Sequence, residues 1–189
     1  ASGWHNRVTV ATRRAVMTGL GQVTGKINDD NAEQLKTDLF EVTWHVGARP
    51  SHQIWQGKVY TKQQLIDICG LGSGDGLCGW NCRHDYYPYI EGISERTYTD
   101  KELEEMNAKE NIPKVYNDKE YTSYTATQKQ RKLETLMRKQ RQDIKLLTLG
   151  NADKDTIKMA RIKYRNTSAQ YADFSDKMGL KQQRERIYI

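Results

Sequence analysis

A chain of 189 residues with 37% hydrophobic content and a mean hydropathy of −0.87 has material for one globular domain, or a modest domain with a helical extension. No apolar run approaches the ~20 residues of a membrane helix, which excludes a helical membrane span. The formal charge of +6 is uneven: residues 121–189 carry 16 Lys/Arg against 7 Asp/Glu, and residues 1–120 carry 14 against 17, so a basic rear and a mildly acidic front have different neighbours.

The chain opens on Ala in a polar stretch and reads as a piece of a longer protein. Residues 7–35 read as a helix, with Gly19, Gly21 and Gly25 weakening its middle and a break expected near Gly25. In L-F-E-V-T-W-H (39–45), Phe40, Val42 and Trp44 alternate with Glu41, Thr43 and His45, the period of a half-buried strand. G-A-R-P-S-H is a turn, because Pro50 restricts Arg49 to extended geometry. A second short strand is expected around Gly57–Tyr60, and Thr61 is the N-cap of a short helix over 62–69.

G-L-G-S-G-D-G (70–76) is a flexible loop and no dinucleotide fingerprint: the third Gly of G-x-G-x-x-G would fall on Asp75, and the run follows a helix, not a strand. Residues 77–93 form a compact aromatic segment. Thr99 or Asp100 caps a helix through Ala108, and I-P-K (112–114) is a linker. Two long helices follow, over 121–149 and 153–178. Ala126, Leu133, Met137, Ile144 and Leu147 in the first, and Ile157, Ala160, Tyr164, Tyr171, Phe174 and Met178 in the second, fall on three/four spacing. These two stripes predict an antiparallel hairpin turning at Gly150-Asn151, with Gln130 and Gln140 as polar interruptions, Gly179 as C-cap and the tail R-I-Y-I as an edge strand. The fold class is therefore α+β: a small mixed module with a Cys/His loop over residues 1–115, then a basic helical hairpin and tail over 116–189.

Rare chemistry concentrates in residues 44–88, which hold three of four His, three of four Trp and all three Cys. Cys69 sits in an apolar stripe and reads as a buried small hydrophobe. Cys78, Cys82 and His84 follow a C-x3-C-x-H spacing, and two thiolates and an imidazole within seven residues can converge on one Zn²⁺, with His52 or His45 completing a tetrahedral set. The competing readings are a metal-free packed loop, a Cys/His nucleophile pair, and a metal-dependent nuclease built on His52, Asn81, His84 and Asp85. Arg49 and Lys58 beside the loop, and Arg131, Lys132, Arg138, Lys139, Arg141 and Lys145 on the first long helix, are the candidate contacts for double-stranded DNA or an acidic protein surface. Solvated helix faces and local ion pairs explain the same charges without a partner.

The strings E-V-T-W-H-V-G-A-R-P-S-H-Q-I-W-Q-G-K-V-Y (41–60) and G-L-C-G-W-N-C-R-H-D-Y-Y-P-Y-I-E-G-I-S (76–94) resemble the tailed-phage minor capsid protein family of the minor capsid protein 2 type. V-A-T-R-R-A-V-M-T-G-L-G-Q (10–22), Y-T-A-T-Q-K-Q-R-K-L-E (124–134) and the segment 171–187 fit the same pattern. The resemblance implies a virion protein, encoded beside the portal, with the portal and other capsid proteins as partners; the length and composition do not suggest a secreted disulfide scaffold, which points to synthesis in a reducing host cytoplasm. A more distant similarity to Mu-F-like head morphogenesis proteins rests on Asn81-Cys82-Arg83. The resemblance carries no catalytic residues. The alternative to a structural role is a Cys/His or metal-dependent hydrolase, a protease or nuclease, delivered with the phage genome.

Overall fold

The computed structural model describes residues 8–188; residue 7 of the expected first helix and Ile189 of the expected edge strand lie outside them. The chain is α+β, with a three-stranded antiparallel sheet between residues 39 and 89, a two-stranded one between 114 and 121, and a helical pair following in the sequence. Its contacts divide it into two compact units, 1–108 and 109–189.

In the first unit, helix α1 (Val8–Gln34) is unbroken. Gly25 does not interrupt it because glycine is needed there for packing: a Cβ at Gly25 would lie 2.8 Å from Tyr86 Oη. Gly21, Gly25, Asn28 and Ala32 recur at helical spacing on the inner face, where the Asn28 amide donates to the Tyr86 carbonyl at 2.6 Å. The larger Val16, Leu20, Val23 and Ile27 face outward, each more than half exposed. Size, not hydrophobicity, therefore selects the buried face of α1.

Strand β1 (Leu39–Val42) is the centre of a three-stranded antiparallel sheet, flanked by β2 (Val59–Thr61) and β3 (Tyr86–Tyr89). Phe40 pairs with Tyr60 on one side and Pro88 on the other, and Val42 pairs with Tyr86. Phe40 and Val42 are buried with Trp55, Leu65, Leu77 and Tyr86 in one core, as the period of two requires. β2 begins two residues later than the expected strand. Helix α2 (Pro50–Gln53) occupies what reads as a turn: Arg49 is extended, and Pro50, at the start of the helix, sacrifices no hydrogen bond. Helix α3 (Lys62–Asp67) carries a capping box between Thr61 and Gln64. Helix α4 (Asp100–Asn111), in which the division at Ala108 falls, is entered through a reciprocal pair: the Glu102 carboxylate accepts from the Thr99 N–H, and the Thr99 hydroxyl accepts from the Glu102 N–H.

The second unit contains a hairpin that the linker reading of 112–114 missed. β4 (Lys114–Tyr116) and β5 (Lys119–Tyr121) pair across Asn117-Asp118, both at positive φ (47° and 59°), the geometry of a tight two-residue turn. Helices α5 (Ser123–Leu149) and α6 (Lys154–Met178) pack antiparallel, with Gly179 closing α6 at φ 69°. Phe174 is fully buried, and Tyr116 and Tyr121 meet it edge-on at 5.0 and 5.2 Å. The tail is a 3₁₀ turn over Arg184–Ile187, not an edge strand; Ile187 is buried in the helical core and its carbonyl accepts from Arg141 at 3.0 Å.

The polar interruptions cross-link the helices. Gln130 donates to the Ser175 hydroxyl at 3.0 Å and Gln140 to the Thr167 hydroxyl at 3.0 Å. Glu134, buried in the pair, accepts from the Tyr171 hydroxyl at 3.2 Å and faces Arg186 at 3.8 Å. Burial raises the Glu134 carboxyl above its ordinary value, against a smaller opposing effect of Arg186. A raised carboxyl means the native state holds its proton more tightly than the unfolded chain. Its contribution to stability is therefore present below the ordinary Glu range and lost as pH rises through the native value. Glu134→Gln, which keeps an acceptor for Tyr171, is expected to remove that decline. Thermal unfolding by helical circular dichroism from acid to neutral pH checks this; parallel pH profiles for the two proteins would contradict it.

A candidate metal centre in the first unit

His52 lies in α2, whose four residues bury its ring at 2% exposure. Cys82 and His84 lie on the chain entering β3, where pairing extends beyond the strand: Thr43 N–H donates to the Asp85 carbonyl at 2.9 Å, and Asp85 N–H to the Thr43 hydroxyl at 3.0 Å. The preceding loop is a succession of tight turns. Leu77 N–H bonds the Cys69 carbonyl, Gly79 N–H bonds Gly76, and Cys82 N–H bonds Gly79. Cys78 and Asn81 take positive φ (57° and 56°), a region that side-chain-bearing residues seldom enter.

These elements bring together His52, Cys82 and His84. Their ligating atoms lie within 4.8 Å of one another. The two Nδ1 atoms are 3.4 Å apart, and Cys82 Sγ is 3.8 Å from that of His52 and 3.5 Å from that of His84. Trp55, also buried, walls both rings, its centroid 4.5 Å from His52 and 4.9 Å from His84. The Cys82 sulfur accepts the His84 backbone N–H at 3.4 Å.

The hydrogen bonds around the rings determine their tautomers. His52 Nε2 lies 2.8 Å from the Asp75 carbonyl, which can only accept, so that nitrogen carries the proton. His84 Nε2 lies 2.9 Å from Gln56 Oε1. The orientation of the Gln56 amide is fixed independently: its oxygen accepts from the His45 backbone N–H at 3.1 Å, and its nitrogen donates to Asn107 Oδ1 at 2.9 Å. Asn107 is oriented in turn, because its nitrogen donates to the Gln53 carbonyl and its oxygen accepts from Trp44 Nε1. His84 Nε2 is thus also protonated. Desolvation, opposed in part by the bond to Asp75, lowers the His52 pKa; desolvation with repulsion from His45, His52 and Arg49 lowers that of His84 to about 3. Both rings are neutral, and both Nδ1 atoms present lone pairs toward the same sulfur.

Of the five expected ligands, three converge and two do not. The Cys78 thiol donates to the His84 carbonyl at 3.5 Å and is outside the trio. His45 packs its ring 5.1 Å from His84 but points Nε2 at the Thr43 hydroxyl, 3.2 Å away. Burial pushes the Cys78 thiol up to about 12 and raises that of Cys82 as well, the direction opposite to an activated nucleophile. Trp55 and Gln56 stand in the W-Q-G-K run of the sequence, but nothing there marks them as walling or orienting the histidines, and Asn107 reaches Gln56 across 51 positions.

The candidate cations divide similarly. Arg49 donates to the carbonyls of Asp75 and Trp80 and so pins the Gly-rich loop, and Lys58 donates to the Ile54 carbonyl. In the second unit, Arg141 is engaged by Ile187 and the Tyr188 ring, and Arg138 by Thr135. Arg131 is partly buried, while Lys132, Lys139 and Lys145 are exposed. The more ordered row lies on α6 and was overlooked in the sequence: Lys154, Lys158, Arg161 and Arg165 are all exposed at 4-3-4 spacing, which places them on one face.

The described residues form a small α+β unit with a buried Cys/His cluster, followed in the sequence by a basic antiparallel helix pair. The family model for phage minor capsid protein 2 matches residues 1–176, and the chain belongs to that family. Its role is accordingly that of a structural protein of the virion. No curated protein and no solved structure matches the chain. Among the described residues, no helix is long and apolar enough to cross a membrane.

Proposed function

We propose that the chain is a minor head component at the portal vertex whose α5–α6 pair holds packaged double-stranded DNA by its phosphates. The observation that carries this reading is the row Lys154, Lys158, Arg161 and Arg165. None of the four forms an ion pair among the described residues. The row spans about 17 Å at 1.5 Å per residue, a length of duplex that presents roughly ten phosphates. Lys132, Lys139 and Lys145 add exposed charge on α5. Portal proximity is supported by the family resemblance, which implies a gene encoded beside that of the portal.

Four phosphate contacts predict a slope of about −3.6 in log affinity against log salt, or roughly a hundredfold loss between 50 and 200 mM. Fluorescence anisotropy of the full chain with duplex DNA measures it. Replacing Lys154, Lys158, Arg161 and Arg165 by Gln is expected to weaken binding at low salt and flatten the slope for every DNA sequence alike. Absence of DNA binding at low salt, or a slope unchanged in the fourfold variant, would remove the α6 row from the contact.

A further inference from the structure

We propose that His52 Nδ1, His84 Nδ1 and Cys82 Sγ bind one zinc-class divalent cation, with a water in the fourth position. Two buried Nδ1 lone pairs and one sulfur face each other, and both Nε2 protons are committed elsewhere, to the Asp75 carbonyl and Gln56 Oε1. One thiol proton can satisfy one Nδ1 and leaves the other a buried acceptor without a donor, an arrangement that costs about 1–3 kcal/mol. A cation accepts electron density from all three atoms at once.

Zn–N bonds of about 2.05 Å and a Zn–S bond of about 2.3 Å at tetrahedral angles place the two nitrogens roughly 3.3 Å apart and each nitrogen roughly 3.6 Å from the sulfur. The corresponding separations here are 3.4, 3.5 and 3.8 Å. The trio already has the edges of a tetrahedral face.

Metal-bound imidazoles donate their remaining N–H to a carbonyl or carboxylate, which fixes the ring and the tautomer. Asp75 and Gln56 do this for the two rings, and Gln56 is itself held by Asn107. Two imidazoles and a thiolate suit a borderline-soft cation, in contrast to the all-oxygen shells of Mg²⁺ and Ca²⁺. On binding, the cation displaces the Cys82 thiol proton to solvent, and the thiolate left behind offsets one of the two positive charges brought into a buried site. The site is independent of the DNA contact proposed for α6.

The test uses the full chain, stripped with chelator and titrated with Co²⁺, then Zn²⁺. One equivalent of Co²⁺ is expected to produce tetrahedral d–d bands and a sulfur-to-cobalt charge-transfer band, and Zn²⁺ should displace it. Cys82→Ser should abolish the charge-transfer band. Cys78→Ala and His45→Ala should keep it. Gln56→Leu, which leaves all three ligands in place, should weaken binding by about 10–100-fold. X-ray absorption on the zinc form should show one sulfur in the shell. Zinc-free protein that folds and gives no cobalt bands overturns the site. Loss of the bands in Cys78→Ala, or a two-sulfur shell, overturns the ligand set.

Discussion

Phe174→Ala is expected to make the helical unit melt well before the Trp-bearing unit. Phe174 has no exposed surface and joins three elements: it sits on α6, packs in the cluster that includes Leu133 and Met137 of α5, and receives the edges of Tyr116 and Tyr121 from the β4–β5 hairpin. Removing a buried phenyl ring costs about 3–5 kcal/mol in transfer and cavity terms together. The flanking rings cannot close the gap, because each is tied elsewhere: Tyr116 and Tyr121 belong to a paired hairpin, and Tyr171 is bonded to Glu134 and to the Gln183 N–H. For a unit of this size that loss lowers the melting point by at least about 12 °C. The two units can be followed separately. All four Trp precede residue 109, so indole fluorescence reports the first unit, whereas α5 and α6, 27 and 25 residues long, supply about half of the α-helix and therefore a separate phase of about half the amplitude in the helical circular dichroism. An early helical transition with an unmoved fluorescence transition is expected. Coincident shifts of both signals, or none, would refute the separate helical core.

The parts of the fold that were readable beforehand are those set by local chemistry. Thr61 and Gly179 mark helix ends because a cap acts within one turn, and both occur where expected. The α5–α6 hairpin was readable because its apolar stripes are long and turn at Gly150-Asn151. Phe40 and Val42 gave the buried face of β1 for the same reason. The misreadings share a different cause. Gly25 looks like a helix breaker until Tyr86, 61 positions away, is placed against it. I-P-K looks like a linker because β4 exists only by pairing with β5. Ile187 looks like strand because its burial comes from the helical core. At the Cys/His cluster, residue types and spacing pointed to the loop in which Cys82 and His84 lie together. They could not separate Cys78 from Cys82, four positions apart, because that depends on backbone at positive φ and on a partner histidine from another element.

Gly76→Ala tests whether that loop geometry holds the cluster together. A Cβ at Gly76 would lie 2.1 Å from the Gly70 carbonyl oxygen and 2.6 Å from its carbon. Both are backbone atoms, so no side-chain rotation relieves the overlap and the loop must open. The peptides on either side of Gly76 have two separate duties. The Asp75 carbonyl accepts from His52 Nε2 and from Arg49, and Leu77, 1% exposed, fills the core while its N–H bonds the Cys69 carbonyl. Opening the loop therefore removes the acceptor that fixes the His52 tautomer and loosens the apolar core in one step. The loss is expected at the upper end of the range for overpacking, about 3 kcal/mol, read from denaturant unfolding by Trp fluorescence. Gly19→Ala is the matched control on the same unit. Nothing lies within 4 Å of its Cβ position, and alanine within a helix gains about 1 kcal/mol over glycine. Opposite signs for the two substitutions would show that close backbone approach, not flexibility, is what the glycine of this loop supplies. A Gly76→Ala protein as stable as the parent would mean that the loop is not packed against Gly70 and that the His52–Asp75 bond does not depend on it.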